Sequence, residues 1–354
     1  MKILVINPGS TSTKIAVYND EEPLFVKNIK HNVEELAQYK EINEQLPMRK
    51  KYILEELAAR DIAIDFDAVI GRGGLTRPIP AGVYRVNEQM MADTTNAMRR
   101  HACNLGCIIA HEIAAMCPNP QSFIADPGVV DEMDDVARIT GMPDMPRVAI
   151  WHALNQRAIA RRFAKEHGKR YEDLNLIIAH LGGGISVAAH RQGKAVDVNN
   201  ALDGEGPFSP ERAGSLPAAD LIHLCCTGKY TENELKKMIA GKAGQVAHLG
   251  TNNGLEIENR IEAGDKQAKL IQDAMDYQVA KAICAQGAAL KGKVDAIIIT
   301  GGMARSKYII DQLKDYTAWM APFFVYPGED EMEALALNAL DVLRGELEAK
   351  TYNI

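Results

Sequence analysis

Ile3-Leu4-Val5-Ile6-Asn7-Pro8-Gly9-Ser10-Thr11-Ser12-Thr13-Lys14-Ile15-Ala16-Val17-Tyr18 opens the chain with an apolar run, a polar glycine-containing turn and a second alternating run. The design returns as Leu176-Ile177-Ile178-Ala179-His180-Leu181, then Gly182-Gly183-Gly184, then Ile185-Ser186-Val187-Ala188-Ala189. Short apolar runs bounded by Gly, Ser and Asn read as strands, and two of them around a tight turn read as an antiparallel hairpin. The second copy begins near mid-chain, so the pattern predicts two lobes related by duplication.

Outward from these hairpins, Asp67-Ala68-Val69-Ile70, Ser122-Phe123-Ile124-Ala125 and Val294-Asp295-Ala296-Ile297-Ile298-Ile299 read as buried strands, each followed by a polar loop. Helical spacing runs through 87–117 with a break near Asn104-Leu105-Gly106, through 147–166, through the alanine-rich 267–290 and through 330–347. The last of these starts with acids, which suit the positive end of the helix dipole. Strands alternating with helices give an α/β class. With no Ser/Pro-rich linker, the reading is an N-terminal lobe at 1–150, to which 330–354 returns, and a second lobe at 151–329, packed around a cleft.

The length of 354 residues accommodates two domains of about 100–200 residues each. The hydrophobic share of 47% is enough for two cores and excludes disorder. A net charge of −7 works against non-specific attraction to nucleic acid or anionic membrane. No run approaches the roughly 18–20 apolar residues of a membrane helix, and Met1-Lys2-Ile3-Leu4 leads straight into a strand rather than a signal peptide, so the expected setting is the cytoplasm. Cys103, Cys107, Cys117, Cys225, Cys226 and Cys284 form no CxxC pair and are read as core, although Cys103 and Cys107 share a helical face on which a metal could sit.

The first turn gathers Asn7, Gly9, Ser10, Thr11 and Ser12 after a buried strand, presenting backbone N–H groups and side-chain donors in one place. A polyphosphate needs such a turn, with Lys14 adding charge unless strand alternation points it away; a polar hairpin turn is the plainer reading. Gly182, Gly183 and Gly184 strengthen the first reading, since consecutive glycines add no packing and permit close backbone approach. Gly301 and Gly302, after another buried strand, could pass under a nucleoside. GxxxxGK[ST], GxGxxG and the protein-kinase motifs are absent, so phosphate chemistry here needs another scaffold.

Asn7-Pro8-Gly9-Ser10-Thr11-Ser12-Thr13-Lys14 resembles the N-terminal signature of the acetate kinase family, His180-Leu181-Gly182-Gly183-Gly184 resembles its second phosphate loop, and Gly301-Gly302 its adenosine loop. The resemblance runs in order along essentially the whole chain. It implies the two-lobed fold of acetate and sugar kinases, actin and heat-shock chaperones. It also implies ATP-dependent phosphorylation of a small carboxylate by direct in-line transfer, with ATP/ADP and Mg2+ and a homodimer or larger homo-oligomer. Where acetate kinases carry bulkier residues, this chain has Arg72-Gly73-Gly74-Leu75. That change would leave room for a longer acyl chain, so the acid expected is butanoate, with acetate, propionate and isobutyrate as alternatives; Trp151 would act the other way.

Under the resemblance Arg72 and Arg212 take the substrate carboxylate and the transferring phosphoryl oxygens, where a guanidinium fork fits. Each is otherwise a surface ion pair. Asp126 orients the carboxylate network or the magnesium hydration shell, or is simply a turn acid. His152 and His180 donate to phosphoryl oxygens, Asn7 donates to the transferring group, and Ser10 and Ser12 line the phosphate path. In Glu329-Asp330-Glu331-Met332-Glu333, Glu331 is the expected magnesium-linked acid, with Asp330 or a purely structural role as alternatives.

Overall fold

A computed structural model describes residues 1–97 and 99–353; Met98, inside the helical expectation for 87–117, and Ile354 lie outside the described residues. The chain divides into two compact units, Met1–Val130 with Asp330–Ile354, and Asp131–Glu329. The boundary expected at 150 thus falls twenty residues earlier. The cause is local: Asp134 N–H donates to Val196 O at 2.9 Å, and the Asp134 carboxylate pairs with Arg191 at 2.7 Å, which ties 131–150 to the second unit.

In the first unit β1 (Lys2–Pro8), β2 (Ser12–Asn19) and β3 (Glu22–Lys30) form a meander. β4 (Ala68–Arg72) joins β1 in parallel, and β6 (Ser122–Ala125) joins β4 in parallel, while β5 (Val83–Arg85) lies antiparallel to β6. The sheet order is β3-β2-β1-β4-β6-β5, closed by the short strand Lys350–Thr351. The second unit repeats this with β7 (Asn175–Leu181), β8 (Ile185–Arg191), β9 (Lys194–Val198), β10 (Ala296–Gly301) and β11 (Phe323–Pro327), in the order β9-β8-β7-β10-β11. Both hairpins are antiparallel, and both central strands gain parallel neighbours. The shared order makes the duplication visible.

Central strands covered on both faces read as continuous apolar runs rather than alternating ones. Ile3, Leu4, Val5 and Ile6 are accordingly all fully buried, each worth about 1.5–3 kcal/mol relative to exposure. The helix Leu105–Ala114 sits close on β4 because two glycines meet: a Cβ on Gly71 would lie 2.2 Å from Gly106 O, and one on Gly106 equally close to Arg72 O. In the second unit the helix Lys266–Ala289 starts at Asp265, whose side chain accepts from Gln267 N and Ala268 N.

Two expectations change. The helix expected from 147 begins at Ala153, because the Arg147 guanidinium is spent on Glu205, Asp197, Ala137 O and Val198 O, which keeps the start of that stretch out of the helix. Cys103, Cys107 and Cys117 are buried as expected, but Cys225 and Cys226 are exposed on the helix Ala218–Cys226, whose apolar sequence mimicked a core element. Burial lifts the Cys103 and Cys107 thiols to about 11, which disfavours the thiolate a metal would need. Among the described residues no helix is long and apolar enough to cross a membrane.

Candidate active site

In the first unit, the C-terminal ends of three parallel strands carry the expected residues. Register pairs Ile6 with Gly71 and Arg72 with Ala125, so Asn7, Arg72 and Asp126 emerge along one sheet edge. The helix Glu331–Leu343 brings Glu331 to them. Its buried carboxylate accepts through Oε2 from Asn7 Nδ2 at 2.8 Å and from Arg72 Nη1 at 2.5 Å. A buried carboxylate requires such partners, and the first helical turn adds favourable dipole. Glu331 Oε1 accepts no hydrogen bond among the described residues. The Arg72 pair is therefore made to a buried acid and is no ordinary surface ion pair.

Asp126 is buried and adopts the left-handed backbone region at φ +37°, which non-glycine residues seldom occupy. A reciprocal bond pair holds it there: Gly82 N–H donates to its Oδ1 at 2.8 Å, and its own N–H donates to Gly82 O at 3.0 Å. Part of its role is thus structural.

The turn between β1 and β2 is closed by Gly9 N–H donating to Ser12 O at 2.8 Å. Ser10 and Ser12 offer hydroxyls, and Lys14 an ammonium, that make no hydrogen bond or ion pair among the described residues. Lys14 pairs across the ladder with Asn7, which puts both side chains on one sheet face. Beneath the turn lies a residue the sequence reading passed over. Arg49, fully buried, donates to Gly9 O at 2.9 Å, Ser12 O at 3.0 Å, Ser10 O at 3.2 Å, Thr13 Oγ1 at 3.0 Å and Gln45 Oε1 at 2.9 Å. Every one of these acceptors is neutral, and burial lowers the guanidinium to about 10. The available signal was register: Arg49 lies on the buried stripe of its helix with Ile53 and Leu57.

The expected acyl space beside Arg72 is filled by the chain itself. A Cβ at Gly73 would lie 2.6 Å from Pro127 Cβ, and one at Gly74 would lie 2.8 Å from Asn104 Cα. These glycines admit neighbouring protein atoms, so they do not account for a longer acid.

In the second unit, His180 lies one residue before the end of β7, next to the glycine loop. Its Nδ1 meets Asn155 Oδ1 at 2.7 Å and its Nε2 meets Glu329 Oε1 at 3.1 Å. Because a carboxylate only accepts, the Glu329 contact calls for a proton on Nε2. The ring of His152, which precedes the helix Ala153–Glu166, stacks on His180 with centroids 3.8 Å apart, and its Nδ1 lies 2.8 Å from Ser186 Oγ. Trp151 is buried edge-on against His190, which accounts for its bulk by core packing. Ser186 and Glu329 lie at the site although sequence reasoning quoted them without assigning a role, and Asn155 is a partner it did not single out.

Gly182 and Gly184 each have a measurable reason, whereas a Cβ on Gly183 would make only ordinary contact with Glu211 Oε2 at 3.6 Å. A Cβ on Gly182 would lie 3.3 Å from His180 Nε2, and one on Gly184 would lie 2.0 Å from Arg212 Nη1, so the absence of a side chain lets the guanidinium rest on the loop. Gly183 O accepts from Ser209 Oγ at 2.6 Å. Arg212 also donates to Ala201 O at 2.5 Å, and burial lowers its pKa. Gly301 takes φ +92° against Leu181 O, while Gly302 faces open space.

A protein of Bacteroides thetaiotaomicron named probable butyrate kinase is 64% identical over 352 residues, covering 99% of this chain and all of that protein. The chain belongs to the acetokinase family. The acetokinase family model matches residues 149–314. Butyrate kinase 2 of Clostridium acetobutylicum is 53% identical over 353 residues, covering 99% of each chain. A solved Porphyromonas gingivalis acetate kinase superposes with a TM-score of 0.78 at 20% identity, covering 97% of this chain and 99% of that one, a likeness of fold. The duplicated α/β pattern expected from the repeated hairpins, and the fold implied by the family resemblance, are both found.

Proposed function

We propose that this acetokinase family member transfers the terminal phosphoryl group of ATP to butanoate, giving ADP and butanoyl phosphate. Family membership makes it a phosphotransferase acting on a carboxyl group. The observation that carries the acyl choice is the near-full-length identity of 53–64% to proteins named butyrate kinase.

The reaction brings two anions together, so the site must supply donors and positive charge in fixed positions. In this proposal Arg72, held by Glu331, takes the acid, with Asp126 orienting that network, and Arg212 rests on the glycine loop to take phosphoryl oxygens. His180 and His152 donate to phosphoryl oxygens, Asn7 to the transferring group. Ser10, Ser12 and Lys14 serve the phosphate path with Gly182, Gly183 and Gly184, and Gly301 with Gly302 passes under the nucleoside. Direct in-line transfer is what the family resemblance supports.

Among the described residues no group of three or more His, Cys, Asp or Glu could hold a metal. The carboxylates of Glu331 and Asp126 suit magnesium, which keeps waters and binds through one or two carboxylates and substrate phosphates. Glu331 would hold it through Oε1, with Asp126 acting through water. When bound, the ion would offset phosphate charge. The same proposal includes a cytoplasmic setting and a homodimer or larger homo-oligomer, supported by the family resemblance and tested by light scattering.

The deciding experiment is ATP- and magnesium-dependent acyl phosphate formation, trapped as hydroxamate, across straight-chain acids from acetate to hexanoate, with isobutyrate and glucose as controls. The highest kcat/KM is expected with butanoate. A peak at acetate would refute the acyl assignment but keep the chemistry; transfer to no acid would refute both.

A further inference from the structure

Ser186 O is a backbone carbonyl and can only accept. It lies 3.1 Å from Gln156 Nε2, which must therefore be the amide NH2 end, and the same nitrogen lies 2.9 Å from Ser186 Oγ. Gln156 Oε1 is then an acceptor, 3.0 Å from His190 Nε2, so that nitrogen carries a proton. His190 and Gln156 are both fully buried. Burial, then the charge of Arg157, pushes His190 down to about 3, so the ring is neutral and its Nδ1 accepts from Tyr171 O–H at 2.7 Å. Ser186 Oγ accepts from Gln156 Nε2 and, at 3.4 Å, from the His152 backbone N–H, which takes both lone pairs and leaves its own proton for His152 Nδ1 at 2.8 Å. Each bond fixes the direction of the next.

We propose that Gln156 and Ser186, backed by His190 and Tyr171, form a directed hydrogen-bond relay that fixes His152 as the tautomer protonated on Nε2, so that it acts as a donor and not as a base. Gln156 and Ser186 are positioning residues, because they act through His152. The relay's direction originates at the Ser186 carbonyl, not at Tyr171. Its catalytic consequence rests on the carboxylate kinase reading; the tautomer does not.

The test is long-range proton–nitrogen NMR of 15N-histidine-labelled full-length protein near neutral pH, with His152 assigned by loss of its signals in His152→Gln. Wild type is expected to show His152 protonated on Nε2. Ser186→Ala and Gln156→Leu are expected to mix the tautomers and lower kcat about tenfold, with both KM values held within about twofold, the scale of one lost hydrogen bond. Tyr171→Phe is expected to leave the His152 tautomer unchanged. Should Gln156→Leu fail to fold, Ser186→Ala carries the comparison.

A wild-type proton on Nδ1, or the wild-type tautomer persisting in the Ser186 and Gln156 variants, overturns the relay. Tautomer mixing with unchanged kcat overturns the positioning role. Tautomer mixing in a protein that phosphorylates no acid refutes the kinase reading and leaves the relay standing.

Discussion

Replacing Arg49 by Met tests whether the first turn, proposed to bind phosphate, is held from below. Methionine keeps much of the buried volume and removes the guanidinium, which donates to three turn carbonyls, to Thr13 Oγ1 and to Gln45 Oε1. A hydrogen bond to a charged group nets about 1.5–3 kcal/mol, so the gross loss over these contacts is large. Against it stands release of a buried cation that has no carboxylate beside it, worth several kcal/mol. Part of the turn also regains water, since Ser10 is exposed. The balance is a net destabilisation of about 2–4 kcal/mol, or roughly 3–5 °C in Tm at the unfolding entropy of a 354-residue chain. Because the turn that loses its support is the one proposed to bind phosphate, KM for ATP is expected to rise about tenfold or more while KM for the acid changes little. Calorimetry gives Tm, and the hydroxamate assay with each substrate varied gives the KM split. His31 provides an internal check: burial, then Arg49, holds it at about 4, so its pKa should rise in the variant. Wild-type Tm together with wild-type KM for ATP would refute the reasoning. A lower Tm with unchanged KM would make Arg49 a core residue only.

Gly184→Ala places a methyl where the Arg212 guanidinium lies; the side chain must swing away, so kcat should fall about tenfold or more with Tm shifted little, read by steady-state kinetics beside calorimetry. Gly74→Ala drives a Cβ into Asn104, so it should lower Tm by several degrees and leave the order of preferred acids unchanged, measured across the acid series. Asp276, buried in the helix Lys266–Ala289, is lifted to about 7 by burial. Between about pH 4 and pH 7 the folded chain keeps a proton that the unfolded chain releases, so this group's contribution is present below about pH 4 and is lost as pH rises to 7. Asp276→Asn should raise Tm at pH 8 and converge with wild type near pH 4, as thermal melts across pH will show.

The turn glycines, the buried strands and the repeated hairpins were legible because each depends on a few adjacent residues. The family resemblance extended that reading to Arg72, Asp126, His152, His180, Arg212 and Glu331, though not to what surrounds them. The expected acyl space at Gly73 and Gly74 failed because a missing side chain in sequence says nothing of which atoms fill the gap; Pro127 and Asn104 fill it. The exposed Cys225 and Cys226 failed for a related reason, since apolar composition does not state what a helix packs against.

The sequence by itself determined the two hairpins, the α/β alternation and the glycine turns, all set by local backbone chemistry. Tertiary structure alone decided the partners: Glu331 reaches Asn7 across 324 positions and Arg72 across 259, and Gln156 reaches Ser186 across 30. Those pairings follow from strand order and helix placement. Such contacts form only where the sheets bring distant segments to one edge, and burial then makes any unpartnered charge or tautomer costly.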